Sequence, residues 1–280
     1  MRKLFQSRHI ENTGYLFVLP WIIGFLIFTA YPIFYSLYLS FYKVQIGNNG
    51  IVTTWIGLQN YVQAFTGDID FISELGTYLQ QIFIFSLLIV ILALLIAMML
   101  NQKIRGISIF RTIFFLPVII VSGPVLQKLE DLGMTKITGQ TQQTAVTGIF
   151  GILLSFVMNN LVILLWFTGV PILIFLAALQ KQDINIFEAA RIDGAGAWEV
   201  FWKITLPGLS SMILVNMVYV IVSYSTAGTN PIIGTISKNM FAQTTGLGYS
   251  ASLAWIFFVL VATTIGLMAG IVHLFEKRSR

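Results

Sequence analysis

Glu188-Ala189-Ala190-Arg191, then Asp193 and Gly194 and, after nine intervening residues, Ile204-Thr205-Leu206-Pro207, form a charged island between long apolar runs. Glu188 and Arg191 are three apart, so on a helix they share a face and can pair. Ala189, Ala190, Ala195 and Ala197 are small enough to let another protein approach closely, while the charged groups fix its orientation. Asp183 or Asn185 can cap a short helix ahead of the island, and Gly194 can stop it. A second short helix can begin past Gly194 and Gly196 and carry Trp198, Phe201 and Trp202. Pro207 then stands where the next apolar run begins, at a position that tolerates a missing backbone donor. This is the chemistry of docking.

Bond-making chemistry is not indicated. The chain has no cysteine, which excludes disulfides, thiolate metal sites and thiol catalysis. No glycine-rich stretch ends in Gly-Lys-Ser or Gly-Lys-Thr, so energy must come from another chain. Neither a zinc-protease His pair nor a nucleophile-elbow serine is present. His9 and His273 fall near span ends and read as interfacial groups. The nine methionines read as apolar filling, and no metal site is expected. The chain is expected to catalyse nothing itself and to bind no cofactor.

The elements that must position the island are membrane spans. Hydrophobic residues make up 57% of the chain and charged residues 10%, with mean hydropathy +0.85; soluble domains carry about 25% charged residues. A hydrocarbon core of about 30 Å takes roughly 20 apolar residues as helix. Six segments qualify: about 14–42, 78–100, 112–127, 150–180, 208–227 and 250–274. The first is too long for a signal-peptide core and reads as a retained span. Pro20 and Pro32 predict bends within it, and Pro117 and Pro124 interrupt the third. Asn159-Asn160 breaks the long stretch before 180 into a lead-in and a fourth span. With the N-terminus inside, Arg2, Lys3, Arg8, Lys103, Arg105, Arg111, Lys181, Arg191, Lys203, Lys277, Arg278 and Arg280 are cytoplasmic. Only Lys43, Lys128, Lys136 and Lys238 of the sixteen basic residues fall outside, as the positive-inside rule requires. The net charge of +5 is therefore a topology signal, and no nucleic-acid partner is expected.

The fold expected is an all-α polytopic membrane protein, six transmembrane helices with the charged island between spans four and five. Residues 1–280 form one domain, with its core at about 75–275. No mid-span carboxylate is found, which argues against a proton- or sodium-coupled carrier. The polar residues in and beside the later spans are Asn159, Asn160, Asn216, Tyr219, Ser223, Tyr224, Thr226 and Asn230. Uncharged hydrogen-bonding groups beside rings suit a sugar, whose hydroxyls need partners and whose faces stack. The same residues can equally hydrogen-bond between helices with no solute present.

The island's spacing resembles the EAA loop of ABC-importer permease subunits. The run FEAARIDGAGAWEVFWKITLPGL is similar to that of the binding-protein-dependent sugar permeases, of the maltose and glycerol-phosphate type. RTIFFLPVII at 111–120, PILIFLAALQ at 171–180, GYSASLAWIFF at 248–258, GLQNY at 57–61 and the opening 15–42 extend the likeness to almost the whole chain. The resemblance implies that Glu188, Ala189 and Ala190 lie on a cytoplasmic coupling helix entering a groove of an ABC ATPase. Gly194 would be the turn out of it, with Arg191 and Asp193 in support. It further implies a type I ABC importer permease fold in a prokaryotic plasma or inner membrane, with both termini cytoplasmic. The implied partners are a second EAA-bearing permease of different sequence, two ATPase subunits that hold ATP and Mg2+, an extracytoplasmic solute-binding protein and lipid. A carbohydrate is the implied cargo; glycerol phosphate, a polyamine or an amino acid is the alternative within the class. A secondary transporter or structural subunit is the alternative outside it. Residues 125–146 depart from the family's usual outer segment.

Overall fold

The computed structural model describes residues 17–47, 50–102, 160–242 and 245–279, with positions 128, 132, 157 and 158. Among them, helices α1 (Phe17–Ser40) and α3 (Ile69–Leu100) are long and apolar enough to cross a membrane. So are Ile163–Lys181, within α4 (Leu161–Lys181), and Gly246–Leu274, within α9 (Gly246–Ser279). A bent pair, α6 (Ala197–Gly208) and α7 (Ser210–Ser225), makes a fifth candidate, its halves 64° apart. The expected span at 112–127 lies outside the described residues, as does Asn159.

Boundaries follow capping chemistry. α3 starts about nine residues before the expected second span because Asp68 Oδ1 accepts the Phe71 N–H at 3.0 Å, closing its first turn. Asp70 and Glu74 ride on that helix. α4 begins directly after Asn160, which sits in a turn, so the break expected at Asn159-Asn160 is present there. In α1 the turn Leu26–Ala30 widens to π geometry just ahead of Pro32. Proline supplies no N–H and its ring crowds the carbonyl four residues back, so the ladder loosens at that place.

Three elements were not expected from the sequence. A hairpin of β1 (Tyr42–Gly47) and β2 (Gly50–Trp55) pairs antiparallel with Tyr42 opposite Trp55. The short helices α2 (Gln59–Thr66) and α8 (Pro231–Met240) complete the set. The remaining helix, α5 (Ile184–Ile192), belongs to the charged island.

The chain divides into two compact units. The first comprises residues 1–72 and 235–257. Here two of the motifs quoted above meet the end of α1. Buried Asn60, from GLQNY, donates to the carbonyls of Ser40 at 2.8 Å and Tyr42 at 3.1 Å. Tyr61 OH shares a hydrogen bond with Ser40 Oγ at 2.7 Å. From GYSASLAW, Tyr249 OH donates to Asp68 Oδ2 at 3.0 Å and Trp255 Nε1 donates to Ser36 Oγ at 3.2 Å. These bonds take up carbonyls and hydroxyls that the helix end would otherwise leave without partners. Gly248 makes the approach possible, since a Cβ there would stand 1.9 Å from the Tyr42 carbonyl oxygen.

The second unit comprises 73–234 and 258–280. Phe85 and Ile89 of α3, Leu164 and Phe167 of α4 and Val220 of α7 form its buried cluster. Lipid is as apolar as these side chains, so close fit and hydrogen bonds, not water exclusion, hold the helices together. Among the described residues nothing packs closely on Gly266 and Gly270 of α9: a Cβ at either would meet no atom within 4 Å.

The contrast between glycines predicts the cost of a methyl group. Gly248→Ala should destabilise the protein by about 1–3 kcal/mol through overpacking, whereas Gly266→Ala should not. Thermal unfolding of the two variants in mild detergent checks this; equal midpoints would refute the close approach at Gly248.

Candidate functional site

The charged island is two short helices joined by a tight, fully bonded turn. Asp183 supplies the first cap: its Oδ1 accepts from Asn185 N at 3.0 Å and from Asn185 Nδ2 at 2.9 Å. α5 ends with paired bonds. Ala195 N–H donates to Ala190 O at 2.9 Å and Gly194 N–H donates to Arg191 O at 3.1 Å. Gly194 takes φ +81°, the left-handed conformation this termination needs. Arg191 therefore contributes the last carbonyl that the turn ties down, and Gly194 the conformation no side chain adopts cheaply.

α5 presents a mixed face to water. Phe187 and Ala190 are half-buried, whereas Glu188, Ala189, Arg191 and Asp193 are exposed. So are Ile184, at 70%, and Ile192, at 86%. At helical spacing Ile184, Glu188, Arg191 and Ile192 fall on one side. Glu188 and Arg191 form no ion pair with each other. The ion pair found on this loop is Lys203 Nζ to Glu199 Oε1, at 3.2 Å. The signal was in the sequence: Glu stands four residues before Lys, the better of the two orders.

Glu199 also closes the start of α6, where its Oε2 accepts from Gly196 N at 3.4 Å. The hydrogen bond from Lys203, then that from Gly196, hold its carboxyl below the usual carboxylate range. The sign follows from the lowered value. This small contribution is present above the unfolded carboxyl's pKa and is lost as pH falls through the folded one.

α6 runs further than expected. Pro207 does not open the fifth span; it lies near the end of α6, after a π turn at Phe201–Thr205, and the chain bends past Gly208 into α7. Gln182 fastens this corner by donating from Nε2 to the Thr205 carbonyl at 3.3 Å. Gly208 leaves room for that amide, since a Cβ there would lie 2.7 Å from Nε2. A hollow of about 410 Å3 lies between the helices, lined by residues that include Gln182, Ile186, Phe187, Ile204 and Met212. Sequence reading passed over Gln182, because its partner is a backbone carbonyl 23 residues away.

The second candidate group is a polar seam between α7 and α3. Tyr224 OH donates to Gln81 Oε1 at 3.0 Å, and Tyr78 OH shares a hydrogen bond with Ser225 Oγ. The Tyr224 ring stacks on Phe85, 5.1 Å between centroids, and meets Phe167 edge-on at 5.8 Å. Asn230 is a double cap: its amide donates to Ser225 O at 3.0 Å and accepts from Ile232 N at 3.0 Å. Thr226 donates back to Val222 O at 2.8 Å. Tyr219 and Ser223 are half-buried and fall on the same side of α7 as Asn216. Asn216 is fully buried, and among the described residues neither its amide nitrogen nor its oxygen has a hydrogen-bond partner. Leaving such a group unpaired costs about 1–3 kcal/mol. Asn160 stands apart from these residues in sequence, at the head of α4.

The sequence pattern of the family described as "Binding-protein-dependent transport system inner membrane component" matches residues 90–280. The chain belongs to this family. The permease is 32% identical to "Probable ABC transporter permease protein YesP" of Bacillus subtilis, over 93% of this chain and 90% of that one. It is 30% identical to "Lactose transport system permease protein LacF" of Rhizobium radiobacter, over 80% and 74%. Its fold is similar to a chain in a crystal structure of a bacterial alginate ABC transporter in complex with alginate pentasaccharide-bound periplasmic protein. That similarity has TM-score 0.59 at 20% identity and covers 99% of this chain and 96% of that one.

Capping chemistry predicts how the island responds to Asp183→Ala. Losing the cap should cost about 1 kcal/mol locally, which is roughly a fivefold faster amide exchange at Asn185 and Ile186. Hydrogen–deuterium exchange on the reconstituted protein measures it. Unchanged protection would mean that packing of Phe187, not the cap, holds α5.

Proposed function

We propose that this permease translocates a carbohydrate through the membrane and receives its driving force through α5, from an ATPase that is a separate chain. The observation that carries the proposal is α5 itself. It is a short helix capped at both ends, with Glu188, Arg191, Ile184 and Ile192 exposed on one side and no ion-pair partner for either charge among the described residues. A stiff knob with a mixed apolar and charged face fits a groove on another protein better than it fits water. Glu188 is the polar contact, Ala189 and Ala190 permit close approach, Gly194 sets the turn, and Arg191 and Asp193 orient the helix.

The mechanical consequence follows from connectivity. α5 leads through the Gly194 turn into α6, and α6 bends by 64° into α7. Displacement of α5 by an ATPase dimer that closes on ATP and Mg2+ would tilt α7 with it. Rigid levers of this kind convert a change at one surface into opening at the other. Six spans are proposed, with 112–127 as the third, in one permease domain whose termini are both cytoplasmic. A second permease of different sequence, two ATPase subunits and an extracytoplasmic solute-binding protein complete the importer, in a prokaryotic plasma membrane.

Two observations support a sugar as cargo. The relative LacF is named for lactose transport. The α7 side carrying Asn216, Tyr219 and Ser223 offers uncharged hydrogen-bonding groups beside rings, and its buried amide has hydrogen-bonding capacity to spare. A hydroxyl-rich solute can use such groups without a charge entering the membrane. Asn160, Tyr224, Thr226 and Asn230 are already bonded within the chain, so they serve a pathway by holding its walls.

Glu188→Ala should reduce solute-stimulated ATP hydrolysis in proteoliposomes about 10- to 100-fold, the loss expected for a charge-assisted contact of about 1.5–3 kcal/mol. Membrane insertion and basal hydrolysis by the ATPase should be retained. Undiminished stimulation in this variant would remove α5 from the coupling path.

A further inference from the structure

Helix α2 has three distinct faces. Asn60 and Ala64 are buried, and Gln59, Gln63 and Thr66 are exposed and polar. Opposite the buried face lies a stripe of Leu58, Val62 and Phe65, spaced by four and three residues as one helical face requires. All three are more than half exposed. No charged residue occurs from Gly57 to Gly67. Three large apolar side chains on so short a helix need an apolar medium, since soluble surfaces rarely gather exposed apolar groups into a patch.

The surroundings say which medium. Tyr31, Tyr35, Tyr38, Tyr42 and Trp55 form a continuous ladder of rings, with successive centroids 5.7, 6.2, 4.5 and 5.0 Å apart. It begins on the membrane-crossing helix α1 and ends on β2, three residues before the stripe starts. Tyr31, Tyr38 and Trp55 are each about half exposed or more. Exposed tyrosine and tryptophan in a row are the mark of a lipid–water boundary, where the ring is buried and the polar atom stays wet. The stripe continues that boundary. Its depth is set by Asn60, whose two bonds to the carbonyls of Ser40 and Tyr42 fasten α2 to the end of α1.

We propose that α2 is an interfacial helix, its Leu58–Val62–Phe65 stripe lying in the phospholipid headgroup–acyl boundary while Gln59, Gln63 and Thr66 face water. The occupant of the stripe is lipid. The inference rests on the chain's crossing a bilayer and is independent of the solute and of the coupling role of α5. It gives the first unit a function: α2 and the ring ladder fix the height of α1 in the membrane, against which the other helices can move.

The absence of cysteine makes the test direct. Val62→Cys, Phe65→Cys and Gln63→Cys are each spin-labelled in the assembled transporter, whose other subunits carry no reactive cysteine. The vesicles are of phosphatidylethanolamine and phosphatidylglycerol, and collisions with oxygen and with a water-soluble nickel chelate are compared. At Val62 and Phe65 oxygen collisions should exceed nickel collisions several-fold, placing the labels about 5–10 Å into the headgroup–acyl boundary. At Gln63 the order should reverse. Nickel dominance at Val62 and Phe65 would make the stripe a water-exposed surface and overturn the proposal. Low collision rates with both reagents would overturn it too, by showing that another protein covers the stripe. Either apolar site suffices, so loss of one variant to misfolding leaves the test intact.

Discussion

A backbone amide or carbonyl left without a partner in hydrocarbon costs several kcal/mol, and the architecture of this permease follows from how that cost is avoided. Long helices satisfy the groups internally over most of the chain. At each place where a helix must stop, a side chain or a backbone turn takes over. Asp68 closes the start of α3, Asp183 the start of α5, and Asn230 bridges the end of α7 and the start of α8. Asn60 takes up the carbonyls of Ser40 and Tyr42 where α1 gives way to the hairpin. Against this background the amide of Asn216 stands out, since it has no partner among the described residues.

Proline shapes the helices that continue. Ahead of Pro32 and again ahead of Pro207 the helix widens for five residues into π geometry. The ring removes one donor and crowds one carbonyl, and a wider turn shares the disturbance over several bonds. At Pro207 the helix then bends sharply at Gly208, whose missing Cβ lets Gln182 close the corner. A loop helix and a membrane helix are thereby made continuous in covalent structure yet angled in space. This is the property a force-transmitting connection needs.

Much of this was legible in the sequence. Apolar runs, basic residues and breaker residues placed four of the spans and the bent fifth, because those signals act locally. The island's cap at Asp183 and its stop at Gly194 were legible for the same reason. The pairing of Glu188 with Arg191 was not realised. Both are exposed, and an exposed pair three residues apart gains too little to hold two long side chains together. Glu199 and Lys203 do pair, where the carboxylate also receives the Gly196 N–H. The hairpin, α2 and α8 escaped notice because none is long enough to be stable by itself. Their stability comes from what they touch.

The sequence by itself determined the solvent, the helical class and the island at which a motor can act, since composition and local backbone chemistry decide those. Only the tertiary structure decided that Asn60, Tyr61, Gly248, Tyr249 and Trp255 form one junction at the end of α1. It alone joined Tyr78 and Gln81 to Ser225 and Tyr224 across more than 140 residues, and it alone left Asn216 without a partner among the described residues. The physical reason is range. Charge, capping and hydropathy act within a turn or two of the chain, whereas a hydrogen bond between distant helices exists only once packing has brought both ends within 3 Å or so.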